Sequence, residues 1–162
     1  MSLFGDPLYQ WRETFLVLFQ KEQRPRIEIV QQALEGIGDF DFEERSVSEE
    51  GLFESLTITS EVDLVGMEIL YVEGEEVQEE VESLTSQIIE DDLLSPEEGQ
   101  LQRVTRATAR FDILHFERLT GSSGDADDDE EYLDPGSLLA VAAELAKIVD
   151  GVAMDPGSGT FI

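Results

Sequence analysis

The chain has 162 residues, 38 acidic and 10 basic, for a formal net charge of −28. A surface that negative repels phosphate backbones and anionic lipid, so direct nucleic-acid or membrane binding is disfavoured. Cysteine and asparagine are absent, which removes disulfides, thiolate metal sites and N-glycosylation.

Hydrophobic residues make up 41% of the chain and recur in periodic runs, so it is expected to fold around a core rather than remain an acidic coil. The start, Met1 to Pro7, lacks a basic region followed by an apolar stretch and reads as having no signal peptide. No apolar run approaches the ~18 residues of a membrane helix. A cytoplasmic location is the simplest expectation.

Thr14 to Phe19 is a compact apolar run and predicts a strand buried on both faces. Pro25 then opens a helix in which Ile27, Val30, Leu34 and Ile37 recur at helical spacing, with Gly36 and Gly38 as stops. Phe40 to Glu43 alternates as a strand does, Ser48 to Gly51 reads as a turn, and Leu56 to Thr59 alternates again. Met67 to Val72 is a further strand closed by Gly74. Val77, Val81, Leu84 and Ile88 form the apolar stripe of a second helix, with Glu76, Glu79, Glu80 and Glu82 on its wet side. Ser95-Pro96-Glu97-Glu98 has the form of a helix start and predicts a short helix through Leu101. Thr105 to Glu117 then reads as a long strand. Gly121 to Glu131 reads as an acidic loop. Asp134-Pro135 starts a last helix, with Leu138, Leu139, Val141, Ala142, Leu145, Ile148 and Val149 apolar and Gly151 as its stop. Val152 to Met154 and Thr160 to Ile162 flank Asp155 to Gly159 as a hairpin.

This order predicts an α+β fold: a ferredoxin-like βαββαβ antiparallel sheet with an added C-terminal helix and short hairpin. Residues 1–162 form a single domain in this reading. Its core spans about 12–118, an acidic loop 121–133, and the helix and hairpin 134–162. The strands are apolar on both sides, so a second layer must cover the second face. The helix from Pro135 to Val149 is the natural candidate, and a second subunit, giving a homodimer through the sheet face, is the alternative.

The ending Glu144-Leu145-Ala146-Lys147-Ile148-Val149-Asp150-Gly151-Val152-Ala153-Met154-Asp155-Pro156 resembles the closing segment of bacterial domain families of unknown function. Tyr9 to Phe15 and Tyr71 to Val77 are similar to signatures of such an uncharacterised family. The resemblance implies a ferredoxin-type core with a final helix and brings no catalytic residues with it.

Asp125, Asp127 and Asp129 have the alternate spacing of oxygen ligands that begins a calcium loop. Glu130 stands where the loop needs glycine, and Gly136 where it needs a carboxylate. The segment therefore reads first as a solvated acidic loop and second as a metal site. His115 is the sole histidine and lies inside a strand; it reads as a structural residue at a sheet surface, with Asp112 and Glu117 off its face. Arg103, Arg106 and Arg110 are half of the chain's eight arginines together with Arg118. Arg106 and Arg110 would share a strand face, joined by Arg103 from the preceding turn. As a clamp they would bind a carboxylate or phosphate; otherwise they neutralise nearby acids.

No nucleotide, phosphate-loop or nucleophile motif is present, so no cofactor and no catalytic residue is expected. The residues decide neither for nor against an enzyme. The leading expectation is a non-enzymatic module binding a protein or small ligand. The alternatives are a polyanion mimic, in which Ser48 to Glu98 occupies a basic protein, and a carboxylate-based metal-dependent hydrolase. The acidity also suits a halophilic or marine setting, where salt screens self-repulsion.

Overall fold

The computed structural model describes residues 3–60, 64–90, 98–118, 136–156 and 160–161. Its regular elements are β1 (Tyr9–Phe19), α1 (Ile27–Glu35), β2 (Asp41–Val47), β3 (Phe53–Ser60), β4 (Val65–Glu73), α2 (Glu75–Glu90), α3 (Glu98–Arg106), β5 (Ala109–Arg118), α4 (Gly136–Val149), β6 (Val152–Asp155) and β7 (Thr160–Phe161). The acidic segment 121–133 lies outside the described residues, and Asp125, Asp127 and Asp129 with it.

The strands form one seven-stranded sheet in the order β2-β3-β4-β5-β1-β6-β7, and each pairing is antiparallel. The four-stranded ferredoxin-like sheet is therefore corrected, while the α+β class holds. The physical reason lies between β4 and β5. Glu73 ends β4 and faces Ala109, which starts β5, so the chain must leave and re-enter the sheet at the same end. One crossover helix would deliver it to the opposite end. Here α2 leads away and α3, packed against it, leads back. The expected helix ending at Leu101 runs on to Arg106, and the expected strand from Thr105 starts at Ala109. Strand β5 thus inserts between β4 and β1. The hairpin-linked strands β2, β3 and β4 pair in sequence, and the first strand never meets them.

Helices cover both faces. On one, α1 and α4 lie side by side over Phe15, Val17, Phe19, Ile58, Ile69 and Phe111. On the other, Val77, Val81 and Leu84 of α2 and Val104 and Ala107 near the end of α3 pack on Leu16, Leu18, Val152 and Met154. Burial on both sides of β1 is as its apolar run predicts, with Leu18 and Val17 both at 0% exposure. The layer assignment differs from expectation. The last helix joins α1, and the face thought to need it or a second subunit is covered by α2 and α3.

The C-terminal hairpin forms as expected, with β6 pairing β1 on one side and β7 on the other. Glycine at 151 is dictated by its neighbour, because a Cβ there would stand 2.4 Å from the Leu18 carbonyl oxygen. No helix among the described residues is long and apolar enough to cross a membrane.

Candidate functional site

A pocket of about 230 Å³ opens where β1, α3 and α4 end. Its floor is apolar, made by Phe19 and Val149, exposed 2% and 0%. Its walls are polar. Gln20 follows β1, and Gln23 ends the single 3-10 turn that comes next. Gln102, Arg103 and Arg106 come from the last turns of α3, where cations complement the helix dipole and side chains three and four apart share a face. Asp150 follows α4 directly.

Arg103 and Asp150 form an exposed ion pair at 3.2 Å. Arg106 lines the same wall, and its side chain has no ion-pair or hydrogen-bond partner among the described residues. The expected trio is thus divided. Arg103 and Arg106 are helical and share the pocket. Arg110 is on β5, part-buried, with its Nε 2.8 Å from Asp112 and its Nη1 3.6 Å from Glu80. It faces Glu76, Glu79 and Ser83 of α2 across a shallow open cleft. For Arg110 the neutralising role is the one the geometry provides.

The three glutamines of the pocket were not singled out from the sequence. Gln20 and Gln23 flank a charged turn, and Gln102 sits among polar residues, so nothing local marks them. Only the meeting of three chain ends brings them together.

His115 is 2% exposed, not at an open sheet surface. Glu117, two residues along β5, shares its face by strand alternation, which corrects the expectation that it lay off it. Glu13 stands opposite on β1, its Oε1 3.7 Å from Nδ1, beside the bulge between Trp11 and Glu13. Arg12, the extra residue of that bulge, pairs with Glu117. Neither ring nitrogen of His115 has a hydrogen-bond partner among the described residues. Burial lowers its pKa, Arg12 lowers it further, and Glu117 opposes them.

A second groove, about 300 Å³, lies between the N-terminal segment and β2-β3 and carries Asp6, Glu43 and Glu44 with Thr57 and Thr59. No group of three or more His, Asp or Glu residues among the described residues is placed to hold a metal ion.

No protein-family model, no curated protein and no solved structure matches the chain. The resemblance of the Glu144 to Pro156 segment accordingly rests on those residues alone.

Proposed function

We propose that the protein is a non-enzymatic module that binds a small organic anion in the pocket between β1, α3 and α4. The observation that carries this reading is Arg106. Among the described residues Arg12, Arg26, Arg103 and Arg110 each pair with a carboxylate, while Arg24, Arg45, Arg106 and Arg118 form no ion pair. Arg106 instead faces carboxamides over an apolar floor. A guanidinium offers paired donors that match a carboxylate or phosphate, and glutamine side chains add neutral donors and acceptors that fix orientation. The volume, about 230 Å³, is below the usual range for drug-sized ligands and suits a molecule of roughly ten heavy atoms.

The polyanion-mimic reading draws less support. The acidic stretch divides among a hairpin with Glu49 and Glu50, a strand and helix α2. Within it Glu68 is buried, Glu73 accepts the Tyr71 hydroxyl, and Glu80 pairs with Arg110. These three carboxylates are thus engaged within the fold.

Calorimetric titration with glutaramate and with inorganic phosphate tests the proposal. Saturable binding of either anion is expected on the native chain. Arg106→Gln is expected to weaken it about tenfold, the scale of one charge-assisted hydrogen bond. Arg110→Gln is expected to leave it unchanged. Equal loss in both variants would point to overall charge and contradict a site at Arg106.

A further inference from the structure

We infer that the ligand of this pocket is a zwitterion, a small polar α-amino acid whose carboxylate meets Arg106 and whose ammonium meets Asp150. This rests on the anion-binding reading above and adds the second charge.

The case begins with the backbone at Asp150. Its φ is +50°, in the left-handed region. The Gly151 amide donates to the Ala146 carbonyl at 2.8 Å, which makes Asp150 the left-handed residue closing α4. Glycine fills such a position at least cost, and a negative charge at a helix C-terminus also opposes the dipole. Aspartate is among the non-glycine residues that tolerate this conformation, so the preference it opposes is chiefly that of the dipole. The pair with Arg103 does not account for it, because the side chains are 50% and 79% exposed and such pairs contribute little. An exposed carboxylate held against the helix dipole, on the rim of a pocket, fits a role in binding.

The surroundings favour a cation beside it. Helices α3 and α4 both end at this pocket, so two sets of terminal carbonyls turn negative potential toward it. Arg103 and Asp150 cancel in charge and Arg106 is left as the net positive group. Anion and cation acceptors thus stand on one small pocket, with carboxamides between them to meet a polar side chain. When an ammonium engages Asp150, Arg103 is freed to share the ligand carboxylate with Arg106.

Two probes separate the inference from the reading beneath it: L-glutamine, and glutaramate, the same molecule without the ammonium. Calorimetry on the full chain is expected to give L-glutamine about tenfold tighter than glutaramate. Asp150→Asn is expected to erase that preference, so that the two probes bind this variant equally. Asp150→Gly is expected to do the same and to raise the melting temperature by about 2–4 °C, which also shows that the variant is folded. Equal affinity of the native chain for both probes would overturn the zwitterion inference and leave the anion site standing. No saturable binding of L-glutamine, glutaramate or phosphate would remove both.

Discussion

His115 is placed where protonation must cost. Its ring is buried beside Met67 and Glu13 on the sheet, and its pKa is lowered by desolvation first and by Arg12 second. The unfolded chain therefore binds a proton that the folded chain refuses. Stability is fully present above the unfolded value, about 6.5, and is lost as pH falls toward the lowered folded value. A His115→Leu variant is expected to flatten the melting-temperature profile below about pH 6.5, without change near pH 8 beyond repacking. Unaltered acid sensitivity would assign that loss to the carboxylates. Residue identity alone showed a histidine in a strand; with Leu114 and Phe116 beside it, both faces look apolar and alternation cannot say which is sealed. Asp150 was hidden for another reason. Gly151 reads as the glycine that closes α4. The Leu18 carbonyl requires that glycine for close approach, so the left-handed position, costing about 1 kcal/mol, falls one residue earlier.

At the scale of elements, α3 decides both the topology and the pocket. Its last turn and the residue after it carry Val104 and Ala107 onto Leu16 and Leu18, which sets Arg103 and Arg106 over the end of β1. Leu18→Ala removes a fully buried side chain beneath α2 and α3 and is expected to cost about 2–5 kcal/mol. Read by chemical denaturation, it should also weaken glutaramate binding, because the helix that holds the arginines loses part of its seat. Leu139→Gln, at a 37% exposed position of α4, is expected to change stability by no more than about 0.5 kcal/mol. The apolar spacing made most elements legible: α1 buries Ile27, Val30 and Leu34, α2 buries Val77, Val81 and Leu84, and Gly74 closes β4 with φ +112°. The segment after Gln102 was not legible, because from Arg106 the run Arg-Ala-Thr-Ala-Arg alternates polar and apolar residues into β5 and so mimics a strand. The helix wins there because Val104 and Ala107 reach the sheet together at helical spacing. With that element misread, the sheet order and the separation of Arg110 from its neighbours followed wrongly.

For the whole molecule, the charge is a general burden and the pocket a local exception to it. Exposed acids crowd edge strand β2, where Asp41, Glu43 and Glu44 discourage pairing with another chain. A net charge of −28 opposes compaction by self-repulsion, which salt screens within a Debye length of about 10 Å at 0.1 M. The melting temperature is expected to rise as NaCl goes from low to molar concentration; an unchanged value would show that the acids do not strain the fold. Against that field, Arg106 lines a pocket whose lining carboxylate, Asp150, is paired with Arg103. The most direct measurement is a nuclear magnetic resonance titration of the full chain with glutaramate, following the side-chain amides of Gln20, Gln23 and Gln102. Saturable shifts at these groups, lost in Arg106→Gln and kept in Arg110→Gln, are the predicted result. Unmoved glutamine signals, or shifts that survive Arg106→Gln, would contradict the account.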